Sequence, residues 1–306
     1  MSSSNLLRPA PSRRRILLRR IGASILLLTL LGALGWAAFA IFGSDSSSGA
    51  AESTAAATTA PPPPKPLRIV FPEGFTRKQM AARITAVNEI ARRRRHVKPK
   101  LNAKDYLALT RRNKLPGRFA EDGRPRQLDG FLFPATYEFV ADTTTKQLVR
   151  NQLEAFDHAW SGVDLKYARS KNLTPYDVLI IASMIEKEAV VASERRLIAA
   201  VIYNRLHVGL PLGIDATIRY GLDVPGTEPL HESELQSDNP YNTRNRAGLP
   251  PTPIANPGLA SIDAAAHPAR VKYLYFVRKP DHRHHYFTAS ESEFFRKACE
   301  YGYGCG

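Results

Sequence analysis

The chain has 306 residues, a hydrophobic content of 43% and a formal net charge of +15, which allows two modest domains beyond its terminal segments. The charge raises nucleic acid as a partner, but six arginines lie within residues 1–20, and residues 44–306 carry +9. The basic run from Arg92 to Lys100 lacks any helix-turn-helix, zinc-finger or RNA-binding pattern and is typical of a solvated face. We predict no nucleic-acid partner, because an anionic wall polymer or a lipid surface explains the charge equally well.

Residues 21–42 form 22 consecutive positions without a charged side chain. About 20 apolar residues suffice for a helix to cross a bilayer, and a cleaved signal peptide has a shorter apolar region. We therefore predict a single-pass membrane helix at 21–43. The arginines upstream predict a cytoplasmic tail at 1–20, with the rest of the chain outside the cell membrane. Residues 44–66, rich in Ser, Ala and Pro, are typical of a semi-rigid spacer.

The segment 67–124 has the pattern of a small α/β subdomain. Residues 67–71 alternate in the manner of a strand, Pro72-Glu73-Gly74 forms a turn, and Thr76 is a good N-cap for the helix that follows. A second helix is predicted after Asn102.

The larger remainder, 125–298, has strand-like residues at 129–139 and 273–277, three helical stretches and a long loop rich in Pro, Asn and Gly. Residues 299–306 are a tail. The overall prediction is an α+β fold in which this larger part carries the chemistry.

Glu186 is a polar residue in a helix that is apolar on nearly all sides. Thr174 is a good N-cap, Pro175 suits the first helical position, and the continuation VLIIASMIEKEAV predicts a buried helix. A carboxyl against apolar walls keeps its proton near neutrality, which makes Glu186 a candidate acid/base catalyst. The alternative is a surface residue paired with an arginine. Glu188 projects about 200° away, so both glutamates cannot act on one bond.

Asn204 lies within the apolar stripe of the next helix, at 193–208. A buried asparagine needs partners for its donors and its acceptor. It therefore either binds a loop carbonyl or faces a cleft, where it would orient substrate or Glu186.

Two stiff polar loops follow, at 213–217 and 237–258. Their Asn, Asp, Thr and Tyr side chains suit sugar hydroxyls and amides, although an ordered loop without substrate contacts has the same composition. The candidate substrate-binding residues are Asn204, Asp215, Thr217, Asn239, Tyr241, Asn242, Thr243 and Asn256.

Other reaction classes receive no support from the sequence. It contains no G-x-S-x-G motif, no nucleophilic-cysteine setting and no phosphate-binding loop, and its histidines at 282, 284 and 285 have the pattern of a surface turn. We predict neither a metal nor a cofactor. Cys299 and Cys305 are either a disulfide in the tail or two inactive thiols.

Several blocks together resemble one family, the YceG-like endolytic murein transglycosylases of bacteria. VFPEGFTRKQMAARI (70–84) resembles that family's LysM-like small domain. Six blocks resemble its catalytic domain in order: LDGFLFPATYEF (128–139), IIASMIEKEA (180–189), VIYNRL (201–206), PLGIDATIRYGL (211–222), SDNPYNTRNRAGLPPTPIANPGLASIDAA (237–265) and YLYFV…HHYF (273–287). One block is weak evidence, but six in order behind a predicted anchor are specific.

The resemblance implies a lyase that cleaves the β-1,4 bond between N-acetylmuramic acid and N-acetylglucosamine inside a glycan strand, leaving a 1,6-anhydro end. The family's catalytic glutamate corresponds to Glu186. The resemblance also implies peptidoglycan as substrate, a role in ending nascent strands and contact with peptidoglycan synthases. The chain departs from the family's pattern at Asp129, where Glu is usual, at Ala135, where Asp is usual, and at Gly213, where Gln is usual.

Two alternatives remain open at this point. A lysozyme-like muramidase needs a second carboxylate. Asp129, Glu138 and Asp215 are the candidates, and the sequence places none of them opposite Glu186. A non-catalytic wall-binding scaffold explains the anchor and the spacer but gives Glu186 no purpose.

Overall fold

The computed structural model describes residues 66–111, 113, 115, 119 and 126–304. The predicted membrane helix, the cytoplasmic tail, nearly all of the spacer and Cys305 lie outside these residues. No helix within the described ranges has both the length and the apolar surface to cross a bilayer. The described residues belong to one compact unit. The predicted boundary at 124/125 falls within that unit and stays a prediction.

The fold is α+β, as predicted. Its strands pair two by two into separate antiparallel sheets, with β1 next to β2 and β3 next to β4. The strands are β1 (Leu67–Val70), β2 (Thr136–Phe139), β3 (Tyr275–Arg278) and β4 (His285–Thr288). The helices are α1 (Arg77–Arg95), α2 (Ala103–Arg111), α3 (Thr145–Ser161), α4 (Lys166–Ser170), α5 (Pro175–Glu188), α6 (Arg195–Val208), α7 (Asp215–Leu222), α8 (Glu232–Leu235), α9 (Leu259–Ala266) and α10 (Glu291–Glu300).

The predicted strand at 129–139 is shorter in the structure. Only the residues of β2 are extended, and residues 129–132 form turns and a bend. Pro134 has no N–H to donate to a neighbouring strand, which explains why pairing begins only after it. The strand β2 pairs with β1 in the register Ile69 opposite Tyr137. The segment 67–124 therefore contributes a strand to the same sheet as the larger segment.

The helix α5 lies in the middle of the core, as its apolar sequence predicts. Residues 178–185 are all buried, and the helix packs against α6 and α9. Its start is fixed locally, because the Thr174 hydroxyl accepts from the Asp177 N–H and the Asp177 carboxylate accepts from the Thr174 N–H. A rigid, buried helix of this kind holds the residues of its last turn in fixed positions.

Candidate active site

Glu186 lies in the last turn of α5 and is half-buried. Its Oε2 accepts a hydrogen bond of 3.0 Å from the backbone N–H of Gly258, the N-cap residue of α9. The free N–H groups at a helix start carry a partial positive charge and favour a carboxylate. The carboxyl of Glu186 thus lies at the point where the end of α5 meets the beginning of α9.

A second carboxyl, that of Glu73, lies against the same glycine. A Cβ atom built on Gly258 would be 1.8 Å from Oε1 of Glu73, so a larger residue at this position would displace the carboxyl from its place. The N and Cβ atoms of one residue are about 2.5 Å apart. Combined with the hydrogen bond to Glu186, this spacing places the nearest oxygens of the two carboxyls at most about 7 Å apart.

Asn256 holds the turn that carries Glu73. Its backbone O accepts from Gly74 N–H at 2.9 Å, and its backbone N–H donates to Phe75 O at 2.9 Å. Its buried side chain donates from Nδ2 to Phe75 O at 2.8 Å, and its Oδ1 accepts from the N–H groups of Gly130 and Leu132. One residue therefore fixes the turn after β1 to the loop before β2 and to the start of α9.

Burial and the neighbouring Glu186 favour the protonated form of Glu73. Partial burial raises the pKa of Glu73 above its ordinary value, the neighbouring charge of Glu186 raises it further, and Arg195 lowers it. The side chain nevertheless remains exposed to solvent. No hydrogen bond or ion pair joins its carboxyl to another side chain in the part of the chain that the structure describes. Glu73 is thus an accessible acid beside Glu186 without a structural partner of its own among those residues.

Glu188 has a different environment from Glu186. Burial raises the pKa of Glu188 to about 7, Asp215 raises it as well, and Arg278 and Lys187 lower it. The two glutamates of α5 therefore have different neighbours, as their angular separation predicts. By its raised pKa Glu188 qualifies as a proton donor near neutrality, which makes it the natural comparison for Glu186.

Asn204 binds loop carbonyls in this structure. Its Nδ2 donates to Val271 O at 2.9 Å and to Tyr273 O at 2.8 Å. Arg205 acts similarly, because its guanidinium donates to Leu274 O and to the carbonyl of Pro211. Both residues attach α6 to the chain before β3. A direct contact of Asn204 with substrate stays a prediction.

Thr217 of the first polar loop and Thr243 of the second are both buried. The hydroxyls of Thr217 and Thr243 lie 3.0 Å apart, and Ile214 N–H donates to that of Thr243. Asp215 is half-exposed and forms a 2.6 Å ion pair with Arg244. Of these candidates, Asp215 is the one that solvent reaches most readily.

Residues 239–242 form hydrogen bonds that hold the second polar loop in place. Asn242 is fully buried, and its Nδ2 donates to the carbonyls of Leu235 and Ser237. Asn239 accepts from Tyr241 N–H at 2.9 Å, and the Tyr241 hydroxyl lies 2.8 Å from that of Thr252. These hydrogen bonds attach the loop to itself and to the end of α8.

A cavity of about 790 Å³ opens beside α5, between α1 and α7. Lys187 lines it together with Tyr241 and Asp129. Asp129 is buried and accepts from Arg77 N–H at 2.8 Å and from the Tyr220 hydroxyl at 3.0 Å. Burial raises the pKa of Asp129, and these two hydrogen bonds lower it. The cavity is thus lined by Lys187, which follows Glu186, and by residues of both predicted polar loops, 213–217 and 237–258.

The candidates for a second carboxylate all have other partners. Asp129 binds Arg77, Asp215 pairs with Arg244, and Glu138 is exposed on β2, where Arg68 donates to it at 2.9 Å. The structure brings Glu73 to Glu186 instead. Sequence reasoning assigned Glu73 only to a turn. The available signal was an acid at the tip of that turn, inside a block that resembles the family.

Gly213 has a backbone conformation that favours glycine. Its φ of 66° lies in the left-handed region, where glycine is favoured, and its N–H donates to Thr243 O at 2.9 Å. Ala135 contributes its backbone carbonyl, which accepts from Phe71 N–H at 3.0 Å.

The histidines near β4 have carboxylate partners. His284 Nδ1 lies 2.7 Å from Asp281, and buried His285 Nδ1 lies 2.7 Å from Glu194. Burial lowers the pKa of His285, whereas Glu194 raises it. The two rings thus have different partners, and in the described ranges no group of three or more His, Cys, Asp or Glu side chains could hold a metal ion.

Comparisons with known proteins point to one family. The sequence model of the YceG-like family matches residues 46–300. A crystal structure of a yceG-like protein from Listeria monocytogenes is similar, with a TM-score of 0.61, 30% identity and coverage of 75% of each chain.

Two curated relatives carry the name endolytic murein transglycosylase. The protein from Bacillus subtilis is 37% identical over 153 residues, which are 50% of this chain and 42% of the relative. The protein from Streptococcus pneumoniae strain R6 is 34% identical over 187 residues, which are 59% of this chain and 33% of the relative. The chain therefore spans less than half the length of these curated relatives.

Proposed function

The chain belongs to the YceG-like family, and on that premise we propose that it is an endolytic peptidoglycan lytic transglycosylase. It cleaves the β-1,4 bond between N-acetylmuramic acid and N-acetylglucosamine within a glycan strand. The products are a 1,6-anhydro muramyl end and a free N-acetylglucosamine end, so the enzyme is a lyase. The curated relatives named endolytic murein transglycosylase support this proposal.

The observation that carries the proposal is the position of Glu186. Its carboxyl projects from the end of a buried helix and lies 3.0 Å from the N–H of Gly258. In the proposed reaction Glu186 protonates the leaving glycosidic oxygen while the bond from C1 to that oxygen breaks. The muramyl C6 hydroxyl oxygen then forms the new bond to C1, and its proton passes to the Glu186 carboxylate. Water is not consumed.

The products of digestion test this proposal. The full-length chain, purified in detergent, is incubated with glycan strands, and the released muropeptides are analysed by mass spectrometry. Anhydro-ended products are expected. Reducing ends would indicate a lysozyme-like muramidase instead. If neither product forms and the protein still sediments with the strands, the chain is a wall-binding scaffold.

The location of the enzyme is part of the same proposal. We place it in the cell membrane, anchored by residues 21–43 with the N-terminus in the cytoplasm, and residues 67–124 form a LysM-like subdomain. The spacer at 44–66 then holds the catalytic part near newly made strands, where it ends their elongation in contact with peptidoglycan synthases. Protease treatment of intact spheroplasts tests the topology. Digestion of the part after residue 66 is expected, and its protection would contradict the orientation.

A further inference from the structure

We propose that Glu73 is the second carboxyl of the catalytic site and that Glu73 and Glu186 hold one catalytic proton between them. The inference rests on the proposed function and assigns part of its chemistry to a residue of the N-terminal segment. Glu73 lies outside the block that contains Glu186, and 113 positions separate the two residues.

The geometry that supports this inference is the shared contact with Gly258. Glu186 accepts the N–H of this glycine, and Glu73 occupies the space where a larger residue would have its Cβ. Their nearest oxygens are at most about 7 Å apart, which is within the range of separations of two carboxyls that flank one glycosidic bond.

The placement of Glu73 is built into the fold. The turn is attached to Asn256 by two backbone hydrogen bonds and one side-chain hydrogen bond, and Lys187 Nζ lies 3.4 Å from the carbonyl of Gly74. The carboxyl itself is exposed and has no other role in the described part of the structure. A fixed turn with an accessible acid at its tip is what a catalytic carboxyl needs.

The charged groups that face Glu73 explain how the proton is held. Glu186 and Lys187 belong to α5, and Arg195 begins α6. Two carboxylates this close cannot both ionise without repulsion, so a pair of this kind retains a proton to higher pH than an isolated carboxyl does. Burial and the neighbouring charge of Glu186 raise the pKa of Glu73, so Glu73 is the member of the pair that holds the proton.

The proton balance of the cycle closes within the pair. Glu73 passes the shared proton to Glu186, which delivers it to the leaving oxygen of N-acetylglucosamine as the bond to C1 breaks. The C6 hydroxyl oxygen attacks C1, and its proton returns to the pair. The pair begins and ends with one proton, and no additional reactant enters.

A pH profile of the full-length enzyme tests the role of Glu73. The variant Glu73→Gln is expected to lower kcat at neutral pH by at least about tenfold with little change in KM, and to move the optimum to lower pH, because the site then lacks the second carboxyl that retains the proton. Glu73→Asp should restore part of the rate. Glu154→Gln, at an exposed position on α3, is the control and should match the wild type. An unchanged profile in Glu73→Gln, or a change in KM alone, would overturn the inference.

A second measurement does not depend on activity. The side-chain carboxyl carbons of the ¹³C-labelled full chain are titrated by NMR, with Glu73 and Glu186 assigned from their Gln variants. Glu73 is expected to titrate above the ordinary value of a glutamate, and its midpoint should fall in Glu186→Gln. If Glu73 has the ordinary midpoint of a glutamate and this midpoint does not change in Glu186→Gln, the hypothesis of a shared proton is wrong, even if the protein cleaves glycan. If the wild type cleaves nothing but the coupling is present, the proposed function fails and the coupled pair stands.

Discussion

The backbone N–H of Gly258 donates a hydrogen bond to the carboxyl of Glu186 across 72 positions of sequence. This contact joins the end of one buried helix to the start of another, and it places the candidate acid where a helix N-terminus meets an accessible second carboxyl. The consequences for catalysis and for stability can be separated by variants at neighbouring positions.

The two glutamates of α5 provide a matched pair for the catalytic assignment. Glu186→Gln should remain folded and lose more than about a hundredfold in kcat, the range for removal of a general acid–base group. Glu188→Gln makes the same replacement of a carboxyl by an amide two positions away, and its kcat should stay close to that of the wild type. Release of anhydro muropeptides over time is the measurement. A large loss in Glu188→Gln with an active Glu186→Gln would move the assignment to Glu188.

The space at Gly258 predicts an effect on rate without an effect on stability. In Gly258→Ala the new methyl group would overlap the Glu73 carboxyl, which is the free end of a flexible side chain and can move away. Displacement of a catalytic group by about 1 Å costs up to about a hundredfold, so a loss of about tenfold to a hundredfold in kcat is expected. Gly162→Ala, where a Cβ meets nothing within 4 Å, is the control. Equal activity of both variants would contradict the close packing of Glu73.

Asn256 predicts an effect on stability. Asn256→Ala leaves two buried N–H groups and one carbonyl without a side-chain partner and should lower the free energy of unfolding by about 2 to 5 kcal/mol. Asn245→Ala, at an exposed position with one 3.3 Å hydrogen bond, should change it by less than about 0.5 kcal/mol. Urea unfolding followed by circular dichroism measures both. Similar midpoints would show that Asn256 does not hold the turn.

The raised pKa of Glu188 predicts a pH dependence of stability. A carboxyl whose pKa rises on folding, here from 4.5 to about 7, stabilises the fold below pH 4.5 and loses that contribution as the pH rises to about 7. The loss is at most about 3 kcal/mol, and solvent screening reduces it. Glu188→Gln should therefore show a flatter curve of unfolding free energy between these pH values than the wild type. Parallel curves for the two proteins would contradict the raised pKa.

The sequence predicts the elements whose causes are local. Thr174, Pro175 and Asp177 define the start of α5 by themselves, and the apolar run after them predicts its burial. Glu186 is recognisable as a candidate site residue because it is a charged residue within that apolar run. The strand before Thr76 and the helix after it are confirmed for the same reason, since alternation and capping act within a few residues.

Contacts between segments that are distant in sequence have no local pattern that would predict them. Glu73 and Gly258 are 185 positions apart, and their contact depends on the pairing of β1 with β2 and on the hydrogen bonds of Asn256. Composition also cannot separate an amide that binds sugar from one that binds backbone, since both uses need the same donors and acceptors. Asn204, Asn242 and Asn256 all bind backbone carbonyls in the structure.

The pairing of β1 with β2 limits how this chain can be divided or recombined. A cut at the predicted boundary between residues 124 and 125 would place β1 and β2 on different fragments and would separate Glu73 from Glu186. A chimera with a related protein would have to exchange residues 67–139 as one piece, together with the stretch around Asn256 that receives the turn. Evolutionary change in the small N-terminal segment is therefore constrained by the contacts that its turn makes with Asn256 and Gly258.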